Sequence, residues 1–290
     1  MVFLDPTTDI AFKKLFANQA KKSLVVDFLN NVLELQPGDQ IIDVVITDPT
    51  NHPETATSKS SIVDVRCEDQ KKRSYIVEMQ VSFQSDFRER SQYYAAHAIA
   101  RQLGKGETFS HIMPVIFIAI LDFKLFDNNS HYISHHKILD VKTRNQELQH
   151  LSFCFIELPK FNKNLEQLES VEDKWIYIFK NASNLKTIPK QLKTTAALEE
   201  AMSTLEEGAF SRTELAAYEK LINSRRTEES ILNSAKEIGL QEGRQEGRQE
   251  GRQEVSKKIA HALLGKNMPH TEIAQITGLS IEEIQALGKK

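Results

Sequence analysis

A chain of 290 residues, 40% hydrophobic and 27% charged, is long enough for one sizeable domain with extensions, and its core needs no disulfide staples. Its net charge of −3 argues against a dedicated nucleic-acid-coating protein, which would be basic, so any action on nucleic acid must rest on a local site. The most apolar run, Met113 to Leu121, is nine residues, about half of a membrane span, and reads as a buried strand rather than a membrane segment.

Taken in chain order, Asp5-Pro6-Thr7-Thr8 ahead of Ile10, Phe12, Leu15 and Phe16 predicts a capped helix starting at Thr7 or Thr8. A second helix is expected over 21–35, with Leu24, Val25, Phe28, Leu29, Val32 and Leu33 at helical spacing and Pro37-Gly38-Asp39 as its stop. A strand over 41–47 and a polar stretch over 48–60 follow. Segments 61–68 and 74–81 alternate in the manner of strands and are joined by Asp69 to Arg73, a hairpin loop centred on Lys71. Next come a helix over 87–103, with Phe87, Arg90, Tyr94, Ala98 and Leu103 toward one face, the strand at 113–121, and strands at 132–141 and 151–158. This order predicts an α/β fold with a mixed central sheet flanked by helices.

From Val171 onward the pattern is helical: a short helix with Trp175, Ile176, Ile178 and Phe179, then segments at 190–206 and 212–238. Gly239 to Glu254 is a tandem repeat, Gly-Leu-Gln-Glu once and Gly-Arg-Gln-Glu three times. The expected division is a catalytic-type domain over 1–185, a helical extension over 186–238, the repeat as a spacer over 239–254, and a small helical tail over 255–290. Cys67 and Cys154 sit in apolar alternating runs and read as reduced, buried thiols. The start MVFLDPTTDIAFKK has no charged segment followed by an apolar one, so no signal peptide is expected, and the protein reads as cytoplasmic.

The hairpin carries the chemistry. With its loop centred on Lys71, Asp64 lies across from Glu78, and Gln80 follows on the same face. The other face carries Val63, Val65, Cys67, Tyr75, Val77, Met79 and Val81. Two carboxylates that close repel unless a cation or a proton lies between them, and a divalent metal with oxygen ligands is the economical solution. The competing reading is a solvated face on which Asp64 and Glu78 pair with Arg66, Lys71 or Arg73.

The ordered set of residues narrows this choice. Asp9-x-x-Phe12-Lys13-x-x-Phe16, Ile62-Val63-Asp64-Val65, Tyr75-Ile76-Val77-Glu78-Met79-Gln80, Arg90 with Tyr93-Tyr94, and Phe155-Ile156-Glu157-Leu158-Pro159-Lys160 together resemble the Rpn family of recombination-promoting nucleases. These are transposases of the PD-(D/E)XK type, and the matching residues span most of 1–180. The resemblance implies a restriction-endonuclease-like PD-(D/E)XK core with an all-helical C-terminal extension. It also implies Asp64 and Glu78 as ligands of Mg²⁺ or Mn²⁺, with the Met79 carbonyl as a third. Gln80 stands where the superfamily has lysine, and Val63 where it has proline. A neutral amide orients water but is no base near pH 7, so positive charge must come from elsewhere. Lys13 is one candidate, with Asp9 adding a ligand or holding that lysine; a solvated Lys13 beside Lys14 is the alternative. Arg90 is a candidate phosphate contact, and Lys71, Lys72, Arg73, Arg88, Arg101 and Lys105 are basic groups flanking the site.

The implied function is a metal-dependent DNA endonuclease whose breaks promote recombination. The alternatives are a catalytically silent interaction protein of the same fold, consistent with Gln80 and the net negative charge, and a nuclease acting on RNA. His131, His135 and His136 lack a completing cysteine or glutamate and do not read as a metal site. In the repeat, Glu and Arg never fall three or four residues apart, and each glycine costs about 1 kcal/mol relative to alanine, so an isolated helix would be marginal. Two readings stand for it: a helical spacer or self-association element giving a homo-oligomer, and a solvated linker. Residues 256–288 resemble a helix-turn-helix around Thr277-Gly278-Leu279-Ser280. The acidic start Ile281-Glu282-Glu283 favours protein contact or capping over reading DNA.

Overall fold

The computed structural model of the chain describes residues 2–47, 50–51, 61–104 and 106–287. Most of the polar stretch over 48–60, together with Lys105, lies outside the described residues. The chain divides into two compact units, Met1–Glu219 and Lys220–Lys290.

In the first unit, α1 (Asp9–Phe16) is capped by the Thr8 hydroxyl, which accepts from the Ala11 N–H, and α2 (Lys22–Val32) follows. Strand β1 (Val44–Thr47) and the short pair β2 (Thr50–Asn51) and β3 (Ser61–Ile62) precede the hairpin of β4 (Val65–Asp69) and β5 (Ser74–Gln80). Then come α3 (Phe87–Ala100), β6 (Val115–Leu121), β7 (Ile133–Ile138) and β8 (Leu148–Glu157), followed by α4 (Val171–Asn181) and α5 (Ala196–Leu205). Helix α6 (Arg212–Leu264) begins in this unit and continues into the second, which adds α7 (His270–Thr277) and α8 (Ile281–Leu287).

Six strands form one mixed sheet in the order β1-β4-β5-β6-β8-β7. The β1-β4-β5 side is antiparallel, β5-β6-β8 are parallel, and β7 returns antiparallel to β8. The strongly apolar β6, fully enclosed at Phe117 to Leu121, takes the interior position such a sequence requires.

Strand alternation splits the apolar side chains between two layers. Val65, Cys67, Tyr75, Val77, Met79, Ile118, Ile120, Cys154 and Ile156 face α1, α2, α4 and α5 across a core centred on Phe16, Phe28, Trp175 and Phe179. The opposite layer sets Ile76, Phe117, Ala119 and Phe155 against α3. The buried stripe of α3 is Phe87, Ser91, Ala95 and Ala98. This corrects the expected face through Arg90 and Tyr94: small side chains let the helix lie close on the sheet, and the long polar ones are turned aside. No described helix is long and apolar enough to cross a membrane.

In the second unit the repeat 239–254 is helical and solvent-exposed throughout, as part of α6. Ala260, Ile273, Leu279 and Ile284 form a small core, and Gly278 takes the left-handed conformation (φ 71°) that ends α7. The acidic start of α8 has a local cause: the Ser280 hydroxyl accepts from the Glu283 N–H, while the Glu283 carboxylate accepts from the Ser280 N–H.

Candidate active site

The parallel strands end level with one another, Gln80 beside Leu121 and Leu121 beside Glu157. The candidate residues gather at this carboxyl edge, the usual position for a ligand crevice in a sheet with parallel strands.

Asp64 is not a strand residue. The chain bends there between β3 and β4, and its carboxylate accepts from the Met79 N–H at 2.7 Å. The register Val65↔Val77 and Arg66↔Ile76 extrapolates to Asp64 opposite Glu78, as the loop centre predicts, but the side-chain carboxylate takes the place of the next ladder carbonyl. The bend also moves Val63: it packs in the α3 layer with Ile76 and Phe87, not on the opposite face with Val65 and Cys67. Strict alternation fails here because it holds only while the backbone stays extended.

Glu78 is 2% exposed. Burial, and then repulsion from Asp64, push its carboxyl up to about 8, against the opposing pull of Arg90 and the Gln80 amide. Burial likewise raises Asp64; the Met79 N–H lowers it, Asp9 raises it, and Lys13 and Arg90 lower it. The Gln80 amide nitrogen donates to Glu78 Oε2 at 3.3 Å, and its oxygen accepts from Arg90 Nη2 at 3.0 Å. Arg90 also donates to the Gln84 side chain and lies over the rings of Phe87 and Tyr94, with its Nε buried and unpartnered. Lys13 bonds Asp9 at 2.8 Å, both about half exposed.

The fold thus brings Asp9, Lys13, Asp64, Glu78, Gln80 and Arg90 into one electrostatic neighbourhood. The solvated pairing with Lys71 or Arg73 does not occur, because Lys71 bonds Asp39 and Arg73 bonds Asp69. Arg66 makes no ion pair with either carboxylate among the described residues.

The Gln80 carbonyl accepts from the Asp122 N–H and so faces β6. Carbonyl and N–H directions alternate along a strand, so the Met79 carbonyl faces the opposite side, where its N–H meets Asp64. The oxygen donors to hand are therefore two carboxylates and one main-chain carbonyl, a set suited to a hard divalent cation that keeps water or phosphate in its remaining positions. Among the described residues no group of three or more His, Cys, Asp and Glu side chains converges as a closed metal site. His131 lies outside β7, so it does not share a strand face with His135; His136 packs on Phe126.

Two features were not read from sequence. Tyr94 is half-buried, close enough to feel the Glu78 charge and under Arg90. Glu157 is fully buried and accepts from the N–H groups of Leu125 (2.5 Å) and Phe126 (3.1 Å), while Lys160 binds it at 2.6 Å. This locks the loop after β6 beside the site; the motif Glu157-Leu158-Pro159-Lys160 was the available signal.

The sequence model of a protein family described as PD-(D/E)XK nuclease family transposase matches residues 6–235. No curated protein and no solved structure matches the chain.

Proposed function

Because the chain belongs to the PD-(D/E)XK nuclease family transposases, we propose that it is a divalent-metal-dependent DNA endonuclease whose breaks promote recombination. The supporting observation is the pair Asp64 and Glu78, the first half-buried, the second buried, each close enough to repel the other and both pushed toward the neutral form. Two such acids stay ionised together only with a cation between them. Asp64, Glu78 and the Met79 carbonyl would hold Mg²⁺ or Mn²⁺. Bound there, the ion would supply charge stabilisation at a phosphate and a more acidic water.

The chain's own groups do the positioning. Gln80, fixed between Glu78 and Arg90, orients an attacking water without acting as its base. Arg90 can exchange its two glutamine partners for a phosphate, gripping it bidentately. Lys13, held by Asp9, adds positive charge near Asp64.

The test is nicking of supercoiled plasmid by the purified full chain with Mg²⁺ or Mn²⁺, with EDTA and with Asp64→Ala and Glu78→Ala as controls. Loss of nicking in both variants is expected, and wild-type activity in either would refute the assignment. The neutral Gln80 favours one second reading, a silent fold used for interaction; a wild-type chain that binds DNA yet leaves the plasmid intact with either metal supports that reading. We place the activity in the cytoplasm, where the buried free thiols Cys67 and Cys154 stay reduced. The exposed repeat helix is read as a self-association element, and a chain lacking 239–254 that sediments as the full chain does would refute that role.

A further inference from the structure

A second polar cleft, of about 430 Å³, lies on the α3 side of the hairpin and is lined in part by Arg66, Lys72, Ser74, Arg101 and His111. Its floor is part of the sheet face that carries Glu78. Arg66 is paired with Ile76, and Ser74, Ile76, Glu78 and Gln80 alternate onto the same side of β5. The cleft is built from unused donors. Ser74 is 2% exposed, and its hydroxyl has no hydrogen-bond partner among the described residues; the buried Arg66 Nε likewise has none.

The charge balance favours an anion. Three permanent cations, Arg66, Lys72 and Arg101, face one carboxylate, Glu68, and none of the three has an ion-pair partner among the described residues. Gln102, also in the lining, is occupied by the backbone of Met113 and does not compete for a ligand. Lys71 and Arg73, on either side of Lys72, are spent on Asp39 and Asp69, whereas Lys72, at φ 63°, lines the cleft.

The cleft continues the sheet face that carries the candidate site. At roughly 3.4 Å per strand residue, Arg66 lies about 7 Å along the chain from Asp64 and Ser74 about 14 Å from Glu78. One DNA strand advances about 3.4 Å of helix axis per phosphate. We propose that the cleft of Arg66, Lys72, Ser74, Arg101 and His111 seats a backbone phosphate of the DNA, two to four nucleotides from the one cut at Asp64 and Glu78. These are positioning residues: they fix the register of the strand and do not touch the reacting atoms. The proposal rests on the nuclease reading for the identity of the polymer.

The experiment is fluorescence anisotropy of an end-labelled DNA duplex with the full chain in EDTA, across a salt series, alongside the plasmid-nicking assay. Arg66→Gln and Arg101→Gln should each weaken binding about 3- to 10-fold and reduce the slope of log affinity against log salt by about one, and Arg66→Lys should restore the slope. A misfolded Arg66→Gln is covered by Lys72→Gln, which alters an exposed group, and by Arg101→Gln, which lies outside the sheet. Unchanged affinity and slope in these variants would overturn the proposal, whatever the nicking result. Lost nicking in Asp64→Ala with unchanged slopes in the cleft variants would leave the nuclease reading standing alone; reduced slopes with a wild-type chain that never nicks would uphold the cleft and remove the nuclease. Loss of inorganic-phosphate binding in the cleft variants with duplex affinity and slope unchanged would overturn the polymer assignment in favour of free phosphate.

Discussion

Replacing Glu78 by glutamine should stabilise the metal-free protein at neutral pH while abolishing its cleavage of DNA. The glutamate carboxyl is raised from 4.5 to about 8 in the folded chain, first by burial and then by Asp64. A group raised in this way contributes stability that is fully present below its unfolded value and lost as pH climbs toward the folded one. At pH 7 the loss is on the order of 3 kcal/mol relative to a side chain that never ionises. Glutamine keeps the shape and can still accept from the Gln80 amide, so little packing should be given up. For a unit of about this size each kcal/mol moves the midpoint by roughly 2–4 °C. Thermal melts of both proteins in EDTA should nearly coincide at pH 4, below the unfolded value, and separate by several degrees at pH 7.5, the variant melting higher. Added Mg²⁺ should then stabilise the wild type alone. A variant that melts at or below the wild type at pH 7.5, or a gap of the same size already present at pH 4, would refute the reasoning.

The Glu157–Lys160 pair is enclosed on both sides, with side-chain exposures of 0% and 6%, so Lys160→Met leaves a charge buried without its counter-ion and should cost about 3–5 kcal/mol in urea unfolding. A loss under about 1 kcal/mol would show that the two backbone N–H groups hold Glu157 unaided. In the repeat, a Cβ added at Gly243, Gly247 or Gly251 meets nothing within 4 Å, so alanine at all three should raise helix stability by up to about 1 kcal/mol each. Slower amide exchange across 239–254 is the readout, and unchanged exchange would mean that something other than helix propensity limits opening there.

Local pattern made much of this legible. Helical spacing located α1, α2 and α4, and alternation with a loop centred on Lys71 located the hairpin and the Asp64–Glu78 register. The order of elements indicated the mixed sheet, and the motif set indicated the family whose sequence model covers residues 6–235. Such features depend on neighbours a few residues apart, so the chain states them directly.

What tertiary structure decided depends on partners far along the chain. Lys71 and Arg73 could have served Asp64 and Glu78; Asp39 and Asp69 take them, which keeps their charge away from the site. The α3 stripe departs from the face its sequence pattern predicts because packing of small side chains against the sheet, more than amphipathicity, chose the buried side, and that choice delivers Arg90 to Gln80. Asp64 reads as one more strand position in sequence. Only the folded chain shows the bend that spends its carboxylate on the Met79 N–H, and only burial, which no single residue determines, raises the Glu78 carboxyl to about 8.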